Sequence, residues 1–244
     1  MEKVSSSLAL ALRGEAGKDS FDPNLWVATA VDEYLSGRTF RSDPGWFHPS
    51  SFFNKCDAKL MWAFLGIEPK GVQEPRTQRI FDAGHGRDAF WKGYLRDSGL
   101  SLIIGDDERK CVIPELRIRG ELDDIIRHPI LERSAVFEFK TMNSSQFKAL
   151  NGPLEYHVVQ AHCYMVAKRI WDSVICYECK DCQETKMFNA PFDAELWRIK
   201  VVERIQRILA LIKARQTAER TPQIPDRDCQ FYWMCYQTEL AQLI

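Results

Sequence analysis

Residues 120–164 read GELDDIIRHPILERSAVFEFKTMNSSQFKALNGPLEYHVVQAHCY, and this stretch decides the fold. Its first half holds two apolar runs of strand length, 122–126 and 135–139, separated by the turn residues His128 and Pro129. After the polar loop 143–146 the period changes, and a helix is expected over about 153–170. Three polar groups sit at fixed places on these elements. Gly120-Glu121-Leu122-Asp123 falls where the first strand begins, Glu138-Phe139-Lys140 ends the next, and Gln160 and Tyr164 lie on the helix. Side chains two apart on a strand share a face, so Glu138 and Lys140 project together while Phe139 enters the core. Gln160 and Tyr164, four apart, share one helix face. If the two strands pair, Asp123 stands beside Glu138, and two carboxylates and a lysine converge at one sheet edge.

Working outward, helical spacing covers 26–35 and 77–95. A third helix is expected to start at Ser50 or Ser51 as N-cap and to turn Phe52, Phe53, Cys56, Leu60, Met61 and Phe64 inward until Gly66 closes it. Strands at 111–113 and 116–118 complete a meander with 122–126 and 135–139, and two more follow at 173–177 and 185–189. A last helix is expected over about 193–217, with Arg198, Lys200, Arg204, Arg207, Lys213 and Arg215 on the side opposite its apolar stripe. This order predicts an α/β fold, a mixed central sheet flanked by helices. Residues 1–21, small and polar, read as a flexible arm. Residues 22–244 read as a single domain: a helical part over 22–100, a sheet core over 101–190, and a C-terminal helix with a cysteine-containing tail over 191–244.

With 45% hydrophobic and 27% charged residues in 244, the chain is neither disordered nor collagen-like. No apolar run approaches the roughly 18–20 residues that span a bilayer, so no membrane association is expected. Near the amino end the only apolar patch, 8–12, is too short for a secretory signal, and a cytoplasmic protein is expected. Lys+Arg 33 against Asp+Glu 34 excludes a globally basic, histone-like surface. It leaves nucleic acid open, because basic residues can be gathered in one groove. The 8 cysteines, at 56, 111, 163, 176, 179, 182, 229 and 235, are expected as thiols or metal ligands rather than disulfides.

Two carboxylates with an open face suit Mg²⁺ or Mn²⁺, which keep waters for a substrate phosphate. An adjacent lysine can orient or deprotonate the attacking water, or neutralise charge building on the phosphorane. That describes a hydrolytic phosphodiesterase site. An isolated Glu-x-Lys is also an ordinary surface ion pair; the order of the flanking elements is what argues for a site.

Those elements carry a family resemblance. A G-x-x-D strand, a (D/E)-x-K strand and a Q-x-x-x-Y helix, here Gly120 to Asp123, Glu138 to Lys140 and Gln160 to Tyr164, resemble the PD-(D/E)xK nuclease superfamily, and within it the RecB-like branch of phage-type exonucleases and CRISPR-adaptation nucleases. The resemblance extends weakly over about 48–236. It implies a restriction-endonuclease-like core and a DNA nuclease dependent on Mg²⁺ or Mn²⁺. Asp123, Glu138 and the backbone carbonyl of Phe139 would hold the ion, Lys140 would act on water, and Gln160 and Tyr164 would orient the scissile strand. Family members carry an upstream G-x-x-x-H helix; here Gly84-His85-Gly86-Arg87-Asp88 puts an aspartate in the histidine's place. Asp88 is therefore a candidate ligand, with His85 as the alternative. The implied activity is an exonuclease acting on DNA ends or single strands in recombination, replication or repair, in the host cytoplasm if the chain is phage-encoded. DNA is the expected partner, and a protein partner or homo-oligomer stays open.

Some members of that branch hold an iron–sulfur cluster with one cysteine upstream and three near the carboxyl end. Cys56, Cys229 and Cys235 fit that pattern, with Asp226 where a further cysteine is expected. An iron–sulfur cluster, Zn²⁺ and a purely structural burial of these thiols all stay open. Cys176, Cys179 and Cys182 read as incidental, without a second pair nearby. Lys180, at a turn, and Arg204, on the basic helix face, are expected to meet DNA phosphates, and Trp46, Phe47 or Tyr232 to stack on bases. Two other classes remain: a catalytically inactive nuclease fold retained for DNA binding or assembly, and a zinc-stabilised interaction protein.

Overall fold

The computed structural model describes residues 27–36, 43–53, 56–67, 74–130 and 132–214. Among them the helices are α1 (Thr29–Ser36), α2 (Asp57–Phe64), α3 (Pro75–Asp97), α4 (Ser144–Ala149), α5 (Glu155–Lys168), α6 (Ala194–Trp197) and α7 (Arg204–Lys213). A π-helical segment, Arg198–Glu203, joins the last two. The strands are β1 (Lys110–Ile113), β2 (Ile118–Glu121), β3 (Asp124–Arg127), β4 (Ser134–Met142), β5 (Ser173–Cys179) and β6 (Thr185–Asn189). The chain divides into two compact units, Met1–Arg41 with Gly71–Ala83, and Ser42–Lys70 with Gly84–Ile244. In the first, Arg79 donates to the carboxylate of Asp32 on α1. The expected arm, 1–21, lies outside the described residues.

The second unit is built on a four-stranded mixed sheet in the order β3-β4-β5-β6. β4 and β5 run parallel, and both outer pairs are antiparallel. A parallel neighbour needs a long crossover, and α4 and α5 supply it. Alternation along β4 sorts its side chains to two faces. Phe137 and Phe139 pack with Cys176 against Leu95 and Trp91 of α3. Val136 packs on the other face with Tyr164 and Met165 of α5, where Ala161 also meets Ile175 and Tyr177.

The expected meander is not continuous. β1 and β2 form a separate antiparallel ribbon. The strand expected at 116–118 begins only at Ile118, because Pro114–Leu116 makes a tight 3₁₀ turn closed by Arg117 in the left-handed region, φ 54°. Leu122 and Asp123 then break the chain between β2 and β3, so Gly120 stands near the end of a strand and Asp123 lies outside either one. The helix expected from Ser50 to Phe64 is also split. A 3₁₀ turn, Pro49–Phe53, precedes α2, whose N-cap is the extended residue Cys56. That turn lays Pro49 on Gly120. A Cβ at Gly120 would stand 2.8 Å from Pro49 Cδ and 3.4 Å from Tyr164 Cε1, so only glycine lets the ribbon approach here.

A further core gathers Trp62, Leu60 and Met61 of α2 with Ile205 and Ile208 of α7 and Val159 and Cys163 of α5. Asp57 locks its edge, accepting from Arg204 Nε at 2.7 Å and from Arg207 Nη2 at 2.6 Å. Arg204 is 13% exposed and Arg207 56%. Breaking a largely buried pair strands a charge, whereas an exposed pair is worth little. Asp57→Ala is therefore expected to cost about 3 kcal/mol, and Arg207→Ala less than about 1 kcal/mol, read by urea denaturation. Equal losses would contradict this account of the brace.

Candidate active site

The break at Asp123 and the length of β4 create the site. β3 starts at Asp124, which pairs with Phe137, so β4 runs on past its antiparallel neighbour. Phe139 then has no β3 residue opposite it. Its N–H instead donates to Asp123 Oδ2 at 2.7 Å. The N–H and C=O of one extended residue point to the same edge, so the Phe139 carbonyl faces this open side as well. Glu138 projects from the α5 face, fully buried. Its Oε1 accepts from Lys140 Nζ at 2.5 Å and from Gln160 Nε2 at 2.7 Å. Gln160 Nε2 also lies 3.3 Å from the Tyr164 hydroxyl. The structure thus brings together Asp123, Glu138, Lys140, Gln160 and Tyr164.

Asp88 joins them from α3. Its Oδ2 accepts from Lys92 Nζ, one turn on, at 2.5 Å. Its charge pushes the carboxyls of both Asp123 and Glu138 upward. Burial is the first cause of each shift. The Glu138 carboxyl is carried to about 8 by burial and then by the Asp123 charge, against the pull of Lys140. Lys140 itself is held above the ordinary lysine range, its desolvation outweighed by Glu138 and Asp123 together. The Glu138–Lys140 contact favours ionised Glu138 and the crowding of carboxyls opposes it. The lysine is charged and Glu138 keeps its proton near neutrality, because burial and the Asp123 charge together outweigh the pull of Lys140. Tyr164 is buried, which raises its phenol well above the usual range.

Two buried carboxylate oxygens here have no hydrogen-bond partner, Asp88 Oδ1 and Glu138 Oε2. Hard oxygen donors, mutually repelling and partly unpaired, have the chemistry a divalent cation satisfies. Among the described residues, however, no three His, Cys, Asp or Glu side chains are gathered closely enough to hold a metal ion. The donor set fits a hard cation in kind, and gripping one requires the carboxylates to draw together.

His85 is exposed. Asp88, not His85, acts on the carboxyls of β4 and its neighbour. Lys180 lies exposed in the β5–β6 turn, its N–H bonded to Met142 O at 2.8 Å. Arg204 does not face outward for DNA. It is held by Asp57, and three more of the expected basic face are paired likewise, Arg207 with Asp57, Arg198 with Glu195 and Glu203, and Lys200 with Glu155, while Arg215 lies outside the described residues. Cys56 is buried in the core of α2 and α7, while Asp226, Cys229 and Cys235 lie outside the described residues. Cys176 and Cys179 pack on opposite faces of the sheet, and Cys182 is exposed.

The sequence did not point to the clamp that sets α3 against the sheet. Glu178 of β5, buried, accepts from Arg87 Nε and Nη2 at 2.7 Å each and from Trp91 Nε1 at 2.8 Å. Arg87 and Trp91 flank Asp88 on the helix, so this bidentate anchor fixes the turn that carries it. Their i, i+4 spacing was visible, but the acceptor is a strand residue far along the chain. Beside the site, a cleft of about 740 Å³ is lined by His48, Lys110, Arg119, Gly120, Gln160 and Tyr164, among others.

No family model matches the sequence, and no curated protein matches it. Solved structures do match in fold. The chain is similar to LHK-Exo in complex with dAMP, with a TM-score of 0.50 and 14% identity over 75% of this chain and 92% of that one. It also matches the alkaline exonuclease LHK-Exo from Laribacter hongkongensis, TM-score 0.45 and 13% identity over 76% and 93%, and SSO0001, TM-score 0.44 and 16% identity over 86% and 94%. The chain shares with the dAMP complex the fold of a mixed sheet between helices. Among the described residues no helix is long and apolar enough to cross a membrane.

Proposed function

We propose that this chain is a divalent-metal-dependent deoxyribonuclease of the PD-(D/E)xK type, RecB-like, acting as an exonuclease on DNA ends or single strands in recombination, replication or repair. The observation that carries the reading is the buried Glu138, held by Lys140 and Gln160, with the partly buried Asp123 and Asp88 near enough to act on its carboxyl. A structural ion pair has no use for a buried glutamate crowded by two further carboxyls, and a phosphodiesterase does. The shared fold with an exonuclease supports the same class.

Asp88, Asp123, Glu138 and the Phe139 carbonyl would hold Mg²⁺ or Mn²⁺. When bound, the cation supplies Lewis-acid stabilisation of the phosphoryl oxygens. Lys140, fixed against Glu138, positions the attacking water and offsets charge developing on the phosphorus. Gln160 keeps the Glu138 carboxylate aimed and, with Tyr164, orients the strand. Lys180 is placed to meet a phosphate from the β5–β6 turn. We expect cleavage of linear DNA in Mg²⁺ or Mn²⁺ and none in EDTA, assayed on linear and circular, single- and double-stranded substrates. Cutting of circles as fast as of linear DNA would refute the exonuclease assignment. Binding without cutting on every substrate would leave the inactive, DNA-binding alternative.

A further inference from the structure

Of the rings expected to stack on bases, Phe47 is not free to do so. Phe47 is buried and stacks on Phe64, centroids 4.6 Å apart. Trp46 has the Arg119 guanidinium over its ring at 4.3 Å, and Tyr232 lies outside the described residues. A different set of rings runs from the surface to the candidate site. Phe53, 57% exposed, meets Tyr156, 41% exposed, with centroids 6.5 Å apart. Tyr156 meets His157 at 4.2 Å, and His157 meets Tyr177 at 5.4 Å. Tyr177 is the β5 partner of Lys140 in β4, and paired residues of adjacent strands project to one face. The inner rings are held firmly. The Tyr177 hydroxyl accepts from the Leu154 N–H at 2.9 Å and stands 2.9 Å from His157 Nδ1.

We propose that Phe53, Tyr156 and His157 form a stacking path for unpaired bases of the strand that enters at Lys140, so that the preferred substrate is single-stranded or splayed DNA rather than intact duplex. The inference rests on the nuclease reading above. Three features favour a nucleic acid on these rings. Exposed aromatic rings side by side are costly to leave in water. A base offers them a face of matching size and chemistry, whatever its identity. Glu155, next to Tyr156 in the chain, has its charge taken by Lys200 at 2.7 Å, which lowers repulsion toward a phosphate backbone. The run ends at Tyr177, the register partner of Lys140. Duplex bases are already stacked inside their own helix and cannot use the path.

The test is fluorescence anisotropy of labelled oligodeoxyadenylate and of a blunt duplex with the full chain in EDTA, where nothing is cut. Phe53→Ala and Tyr156→Ala are each expected to weaken single-strand binding about tenfold and to leave duplex binding unchanged. Phe53→Trp and Tyr156→Phe are expected to keep wild-type affinity. Alanine variants that bind the single strand as the wild type does, or that lose both ligands equally, overturn the proposal. Binding is read without turnover, so the two claims fail separately. A chain that cuts nothing but loses single-strand affinity in Tyr156→Ala retains the path and refutes the nuclease. A chain that cuts but is indifferent to both alanines refutes the path alone.

Discussion

Lys140→Ala is expected to reduce metal-dependent cleavage by about 10³-fold, the effect of removing one preorganised charge from a developing phosphorane. Lys140 stands 2.5 Å from Glu138 Oε1, and its side chain is 23% exposed against 1% for Glu138. The ammonium is thus held in a low-dielectric place where it acts on substrate at no reorganisation cost. Single-strand binding should survive, since the lysine is not the source of stacking. Lys140→Arg keeps the charge but spreads it over a planar fork that matches the carboxylate rather than a water, and is expected to recover only a small part of the rate. Paired cleavage assays at saturating Mg²⁺ read the effect. A Lys140→Ala protein that cuts within tenfold of the wild type would remove Lys140 from the chemistry and return it to an ordinary ion pair.

The second large effect is on stability, and its sign depends on pH. Glu138 ionises near 4.5 as an ordinary side chain and at about 8 in the folded chain, with burial the first cause and Asp123 the second. Between those values the folded state binds a proton that the unfolded state has released, so stability falls as pH rises through the window and is greatest on the acid side. Such a shift corresponds to something on the order of 5 kcal/mol across the full range. Glu138→Gln keeps an acceptor for Lys140 and Gln160 and removes the ionisation. In EDTA it is expected to unfold at a higher temperature than the wild type at pH 8, with the difference vanishing toward pH 5. Added Mg²⁺ should stabilise the wild type and leave Glu138→Gln unmoved. Thermal unfolding at the two pH values, with and without Mg²⁺, decides both points. A pH-independent difference would show that the carboxyl is not strained, and equal stabilisation by Mg²⁺ would place the cation elsewhere.

These two substitutions separate what the site gives to chemistry from what it costs the fold. The same crowding that would make a cation welcome leaves Asp88 Oδ1 and Glu138 Oε2 buried and unpartnered without one. Functional sites often retain such local penalties, tolerated because the surrounding packing over-determines the geometry. Here that packing is the Glu178 clamp on α3 and the aromatic layer of Trp91 against Phe137 and Phe139, centroids 6.0 and 5.5 Å apart.

The sequence by itself determined the elements whose spacing is local. Period two over β4 put Glu138 and Lys140 on one face and Phe139 on the other, and period 3.6 over α5 put Gln160 and Tyr164 together. The order of elements gave the α/β class, while Asp88 was marked only by the resemblance of 84–88 to the family's G-x-x-x-H helix. What the sequence could not decide was set by contacts between distant segments. Asp123 serves the site because β3 begins one residue later and leaves the Phe139 N–H exposed, a matter of register rather than pattern. Arg204 has the look of a solvent-facing cation along its helix, and only the approach of Asp57, 147 residues away in sequence, makes it a core brace. Phe47 and Phe53 are both aromatic residues near one turn. Tertiary packing buried the first against Phe64 and left the second beside Tyr156. Periodicity reports which side of an element is apolar, and the free energy that assigns each polar group a partner is paid only when the elements meet.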